Sequence, residues 1–285
     1  MMSEHPTSRN NALLCPRCRR LISADEPRCP HCGLSKPAAW WKRTILTRIF
    51  DGGESLVLTI IAANAVMYLL SLLTSSSGPR LSANPMNLLS PDSQGLLLLG
   101  ATGTIPIDRL HRWWSLVSAS YLHGGILHIL FNMLALRQIA ALVIQTFGTH
   151  RMLVIYSLSG VAGFLVSYLA GVRFTIGASA AVCGLIGAAL YYGKSRGGIY
   201  GQAIYRQVGG WALGIVLFGL VVPGINNWAH GGGMAAGALL GTLMGYQERK
   251  PENPRHRMLS VLCLLGTAAI LLMSIVSGLT QRFPF

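Results

Sequence analysis

Long apolar runs recur along most of the chain and define its organisation. About 20 apolar residues cross a bilayer as a helix, and seven runs reach or approach this length. The runs are Leu56–Leu73, His123–Thr146, Met152–Val172, Ile176–Tyr192, Val208–Val222, Ala229–Tyr246 and Met258–Val276. The pattern therefore predicts an all-α fold, a polytopic membrane helical bundle.

A long segment of mixed polar and apolar residues, Thr74–Leu122, separates the first two runs. It contains the apolar stretch Leu96–Leu99 and the pair Trp113-Trp114. A connection of this length usually has structure of its own. We expect an amphipathic hairpin that lies partly in the membrane interface and does not span the bilayer.

The composition supports a membrane protein. Hydrophobic residues make up 52% of the 285 residues and charged residues only 11%, whereas soluble domains carry about 25% charged residues. The net charge of +14 would suit a nucleic-acid-binding protein, but the basic residues fill gaps between apolar runs instead of forming one face. We therefore expect contact with membrane lipid and none with nucleic acid.

The basic gaps also predict the orientation of the chain. Lys194, Arg196 and Arg206 follow the fourth run, and further basic residues follow the sixth, from Arg249 to Arg257. Cytosolic loops are enriched in Lys and Arg, and the first residues lack the apolar core of a signal peptide. We expect a multi-pass protein of the bacterial inner (plasma) membrane with a cytosolic amino terminus. The second, fourth and sixth helices then begin near the outer face.

Four cysteines precede the first run as two pairs, Cys15-Pro-Arg-Cys18 and Cys29-Pro-His-Cys32. Four thiolates at this spacing can bind zinc as a tetrahedron, and the metal would supply the folding energy of so short a segment. The alternatives are two disulfides or four free thiols. A reducing cytosol disfavours the disulfides. We predict a structural zinc ribbon.

Polar side chains occur where the fourth and sixth runs open. Ser179 follows Arg173 by six residues and His230 follows Asn227 by three. At 1.5 Å per helical residue, both lie at shallow depth, roughly 9 and 5 Å down. A serine becomes nucleophilic when a base such as histidine takes its proton, so the pattern predicts a Ser179–His230 pair.

Small residues would let these two helices approach closely. They are Gly184, Gly187 and Ala188 in the fourth run and Gly233, Gly237 and Gly241 in the sixth. The alternative is that the glycines only pack helices, while Ser179 and His230 satisfy local hydrogen bonds.

The second run adds His128 and Asn132, four residues apart and therefore on one helical face. Side chains of these types can donate hydrogen bonds to an oxyanion. A metal site formed by His123, His128 and His230 is the alternative, but the sequence lacks a His-Glu-x-x-His motif and a nearby carboxylate.

Three motifs thus occur in order: His128-x-x-x-Asn132, Gly177-Ala178-Ser179, and Ala229-His230-Gly-Gly-Gly233 with Gly237. This combination resembles the rhomboid intramembrane serine proteases over roughly residues 112–245, with the preceding helix and loop. The resemblance implies Ser179 as nucleophile, His230 as general base and acid, and an oxyanion hole from His128, Asn132 and the Ser179 N–H. It further implies no catalytic cofactor and, as substrates, single-pass membrane proteins cut near the outer face.

The predicted domains follow from this resemblance. Residues 1–39 form a cytosolic zinc-ribbon-like segment and residues 40–54 a basic interfacial linker. Residues 55–247 form the rhomboid-like core of six helices, and residues 248–285 form a cytosolic loop with an additional seventh helix. The ribbon could bind a cytosolic protein partner or anionic lipid.

The sequence departs from the family pattern at several positions. Ala180 replaces a glycine after the serine, Cys183 an aromatic residue, and Ser115 the arginine of a Trp-Arg pair. The acidic residue near the end of the second helix is absent from residues 137–148. Two rival functions are a catalytically inactive rhomboid-like protein that binds membrane helices, and a small-solute transporter or channel.

Overall fold

A computed structural model of the protein describes residues 12–15, 18, 20–39, 53–76, 78 and 88–283. The first eleven residues and nearly all of the predicted linker at 40–54 lie outside these ranges. The chain divides into two compact units, Met1–Leu56 and Val57–Phe285.

The first unit contains a small antiparallel hairpin. Strand β1 (Ala12–Leu14) pairs with β2 (Leu21–Ser23), and Leu13 lies opposite Ile22. Ile22 is buried together with Cys15 and Cys29. The hydrophobic core of this unit is therefore very small and consists largely of cysteine side chains.

The described part of the chain contains seven long helices, as the apolar runs predict, and the helical-bundle fold class is confirmed. They are α1 (Glu54–Thr74), α2 (Ile126–Phe147), α3 (Thr149–Leu169), α4 (Ser179–Arg196), α5 (Gly198–Val221), α6 (Asn227–Met244) and α7 (Pro254–Arg282).

Among the described residues, five of these helices are long and apolar enough to cross a membrane: α1, α2, α3, α5 and α7. The other two predicted spans, α4 and α6, have 18 residues each and contain many small residues. They pack most extensively on each other, and α6 also packs on α3. Helices surrounded by protein need less apolar surface than helices that face lipid.

Several predicted boundaries are wrong. Helix α5 begins at Gly198 instead of Val208, because its first turns carry exposed polar residues that an apolar run excludes. Helix α4 begins at Ser179 itself, so the depth calculated from Arg173 with a helical rise does not hold. His123 likewise precedes α2 instead of opening it.

The long loop does not form the expected interfacial hairpin in its described part. It folds into short helical segments at Ser93–Leu98, Ile105–Arg109 and Ser115–Ser118. Leu96 and Leu99, which we expected at the interface, are buried in the protein. The loop is therefore a packed part of the fold.

The glycines of α4 and α6 allow direct contact between the two backbones, as predicted. A Cβ atom added at Gly237 would overlap the carbonyl oxygen of Gly184, and one added at Gly233 would overlap that of Ala180. Gly241 instead faces the ring of Tyr191, 3.3 Å from the position of a Cβ. The closest approach is thus on the side of the bundle where both helices begin.

Replacing Gly237 by alanine is expected to lower the free energy of unfolding by about 1–3 kcal/mol, because the new methyl group forces α4 and α6 apart. Gly231→Ala is the matched control on the same helix, since a Cβ there meets no atom within 4 Å. Thermal unfolding in detergent measures both variants. Equal melting temperatures for the two variants would contradict the backbone contact.

Candidate active site

Ser179 and His230 lie at the first turns of α4 and α6 and face each other. The His230 Nε2 and Ser179 Oγ atoms are 2.9 Å apart, within hydrogen-bonding distance. His230 is buried, with 7% of its surface exposed, and Ser179 is half-buried. The structure therefore brings together the two residues that the sequence predicts as a pair.

The backbone that leads to Ser179 is held by the long loop. Thr102 and Thr175 exchange two backbone hydrogen bonds, of 3.1 and 2.7 Å. The N–H of Gly177 donates to the carbonyl of Ala119 at 2.9 Å. The loop thus fixes the position from which α4, and with it Ser179, begins.

Asn226 fixes the start of α6 relative to the same segment. Its side-chain oxygen accepts a hydrogen bond from the N–H of Ala229 at 3.1 Å, which caps the helix. Its amide nitrogen donates to Ser167 Oγ at 2.6 Å and to Thr175 Oγ1 at 2.9 Å. Sequence reasoning missed this role, although an asparagine just before a helix is a known capping signal.

His128 lies close to Gly177, two residues before Ser179. Its Nδ1 atom accepts a hydrogen bond from the N–H of Gly124 at 3.2 Å, so a neutral ring carries its proton on Nε2. A Cβ added at Gly177 would lie 2.9 Å from His128 Nε2 and 3.6 Å from Ser179 Oγ. Gly177 has a φ of +125° and no side chain. A space therefore remains open between the His128 Nε2–H donor and Ser179 Oγ.

Asn132 is buried one turn further along α2. Its amide nitrogen donates to the carbonyl of His128 at 2.9 Å, which uses one of its two N–H groups. His123 is fully buried, and its ring packs edge-to-face on that of His128 with centroids 5.0 Å apart. The histidines do not form the alternative metal site, since the cysteines are the one potential metal-binding group among the described residues.

Comparison with known proteins shows the family to which the chain belongs. Residues 110–247 match the Rhomboid domain family. RHOMBOID-like protein 5 of Arabidopsis thaliana is 32% identical over 226 residues, which cover 71% of this chain and 72% of the relative. The chain belongs to the rhomboid family. It is a multi-pass membrane protein, as its five candidate spans and its relatives indicate.

Two further rhomboid relatives match over smaller shares of their length. RHOMBOID-like protein 4 of Arabidopsis thaliana is 33% identical over 208 residues, 69% of this chain and 53% of the relative. Rhomboid protease GluP of Bacillus subtilis is 31% identical over 183 residues, 63% of this chain and 35% of the relative. The chain thus spans about half of the first relative and a third of the second.

The structure accommodates the departures from the rhomboid pattern around the serine. Ala180 is fully buried in a cluster with Phe164 and Ala229. Gly163 on α3 makes room for it, since a Cβ there would lie 3.1 Å from that of Ala180. Ser115 is also buried, and its hydroxyl donates to Thr102 at 2.9 Å.

Helix α2 carries no carboxylate near its end, but a carboxylate from another part of the chain lies there. Glu252, from the loop before α7, lies beside Gly148 and accepts a hydrogen bond from the N–H of Arg151 at 2.9 Å. The buried Arg151 side chain in turn donates to the carbonyls of Met244 and Gly245 at the end of α6. The loop before α7 therefore supplies a carboxylate that α2 itself lacks.

The four amino-terminal cysteines form a separate cluster in the first unit. Their Sγ atoms lie within 4.8 Å of one another, and two pairs are 3.6 and 3.7 Å apart. Four sulfurs around zinc at about 2.3 Å would lie about 3.8 Å apart, which fits these distances. The cluster could therefore hold a metal ion.

Hydrogen bonds give the cysteines of this cluster unequal acidity. Desolvation opposes ionisation of Cys29, but the backbone N–H groups of His31 and Cys32 outweigh it and lower the pKa of Cys29 to about 7. The N–H of Leu34 favours the Cys32 thiolate, yet desolvation and the neighbouring thiols raise the pKa of Cys32 to about 12. Cys29 therefore loses its proton more readily than Cys32 does.

Substitution of Asn226 by alanine is expected to destabilise the rhomboid core by about 2 kcal/mol, because a helix cap and two hydrogen bonds are lost. Asn253→Ala is the matched control, since Asn253 caps α7 through bonds within its own turn. Thermal unfolding of both variants measures the difference. A smaller loss for Asn226→Ala than for Asn253→Ala would contradict the linking role of Asn226.

Proposed function

We propose that this rhomboid protein is an intramembrane serine endopeptidase that cleaves single-pass transmembrane proteins near the outer membrane face. The observation that carries the proposal is the 2.9 Å distance between Ser179 Oγ and His230 Nε2 at one end of the bundle. The relationship to GluP, which is named a rhomboid protease, supports the same reaction class.

In this reaction Ser179 is the nucleophile. As its Oγ attacks the peptide carbonyl, His230 Nε2 accepts the hydroxyl proton and later donates it to the leaving amine. The resulting acyl-enzyme is hydrolysed by water, which His230 deprotonates in the same way. The N–H groups at the start of α4 lack intrahelical partners and can donate to the oxyanion, whose charge the helix dipole also favours.

The remaining oxyanion donors come from α2. His128 carries its ring proton on Nε2, next to the space that Gly177 leaves open beside Ser179. Asn132 retains a second amide N–H after bonding the His128 carbonyl. Each such donor typically contributes a factor of about 100 to 1,000 to the rate.

The distribution of charge supports cleavage near the outer face. Ser179 begins α4, whereas Lys194 and Arg196 lie in its last turn. At that same end, Arg196 pairs with Glu248 at 2.9 Å and Arg249 donates to the carbonyl of Ser195. Because basic residues concentrate on the cytosolic side, the opposite end with Ser179 and His230 faces outward, and the amino terminus is cytosolic.

For the first unit we propose a structural zinc ion bound by Cys15, Cys18, Cys29 and Cys32. The sulfur spacing supports this assignment, and so does the small size of the apolar core around Ile22. Metal binding would stabilise the hairpin fold, and it takes no part in peptide-bond cleavage.

Cleavage is expected to depend on both members of the pair. In vesicles that contain a single-pass membrane substrate, Ser179→Ala and His230→Ala should each abolish the cleavage product, which immunoblotting detects. Ser195→Ala, at the other end of the same helix, is the control and should retain wild-type cleavage. If no substrate in a broad panel is cut by the folded wild-type protein, the inactive rhomboid-like alternative is favoured.

Metal analysis of the purified protein is expected to give one zinc ion per chain. Cys29→Ser combined with Cys32→Ser should remove it, because two sulfur ligands cannot hold the ion tightly at neutral pH. Cys183→Ser combined with Cys263→Ser is the control and should keep full zinc content. Retention of zinc by the first variant would refute the four-cysteine site.

A further inference from the structure

A cavity of about 360 Å³ lies between α3, α7 and the long loop, outside the proposed catalytic site. Its exposed surface is mainly apolar. The residues that α7 contributes are Leu259, Leu262, Cys263, Gly266, Thr267 and Ile270. They recur every three or four residues and so form one continuous stripe, about 17 Å long at 1.5 Å per residue.

Gly266 lies in the middle of this stripe and helps to create the cavity. A Cβ added there would meet no atom within 4 Å. Among the polar side chains of the wall, Tyr121 interacts with Thr267, whereas the buried hydroxyl oxygens of Tyr156 and Ser157 have no hydrogen-bond partner among the described residues. The cavity is therefore a long, mainly apolar slot, and two hydroxyl groups of α3 lie in its wall.

A basic side chain lies at the end of the stripe where α7 begins. Arg255 is four residues before Leu259 and eleven before Gly266, so it shares their helical face, and it is exposed. Arg257 is also exposed but points to the opposite face of the helix. Guanidinium groups bind phosphate through paired hydrogen bonds. One end of the slot therefore suits an anion.

From this juxtaposition we propose that the slot between α3 and α7 is a binding site for an anionic phospholipid, with one acyl chain along Leu259–Ile270 and the headgroup phosphate at Arg255. Both helices are long and apolar enough to cross a membrane, which would place the slot among lipid acyl chains. The slot wall includes Ser120 and Tyr121, next to Ala119, whose carbonyl holds Gly177. The proposed lipid site does not depend on protease activity.

Native mass spectrometry of the full-length protein in detergent tests this site, with added phosphatidylglycerol or phosphatidylcholine. Wild type should bind one phosphatidylglycerol with higher affinity than phosphatidylcholine. Gly266→Leu should lower the affinity for both lipids, because the new side chain fills the slot. Ala268→Leu, on the opposite face of α7, is the control and should bind as wild type does.

Charge variants test the position of the headgroup. Arg255→Gln should lower the affinity for phosphatidylglycerol by about tenfold, as expected when one charge-assisted contact is lost, while Arg257→Gln should leave it unchanged. Arg255 is exposed, so this variant tests the proposal even if Gly266→Leu does not fold. Equal binding of the two lipids, or wild-type affinity in Arg255→Gln, would overturn the proposal, as would unchanged binding in folded Gly266→Leu.

Discussion

Direct contact between the backbones of α4 and α6 is the constraint on which the rest of the structure depends. Gly237 has no side chain where Gly184 approaches, and Gly233 has none where Ala180 approaches. Only this close packing lets a short serine side chain at the start of one helix reach a histidine at the start of the other. In a membrane, where apolar side chains gain little by associating with each other, such close packing also provides much of the attraction between helices.

The surrounding elements protect this contact and position the groups at its end. Helix α3 packs on both central helices, and the long loop holds the segment before Ser179 through Thr102 and Ala119. Asn226 then joins the start of α6 to the same segment. These hydrogen bonds fix the starts of α4 and α6, and with them Ser179 and His230, at one end of the bundle.

The sequence predicts the helices well, because apolar runs are local signals, and polar residues at their openings select the two side chains that lie 2.9 Å apart in the structure. It fails where tertiary contacts decide. The first turns of α5 are polar yet helical, and two leucines of the apolar stretch in the long loop, Leu96 and Leu99, are buried in the protein. The bond from Asn226 to Ser167 and the bond from Arg151 to Glu252 join residues far apart in the chain, which no local pattern reveals.

The central claim is that Ser179 is an activated nucleophile because His230 is held beside it. Reaction of the purified protein with a fluorophosphonate probe, followed by mass-spectrometric mapping of the modified peptide, tests this claim most directly. The account predicts a covalent adduct on Ser179 in wild type and none in folded His230→Ala. The absence of an adduct in folded wild type, or its persistence in His230→Ala, would contradict the account.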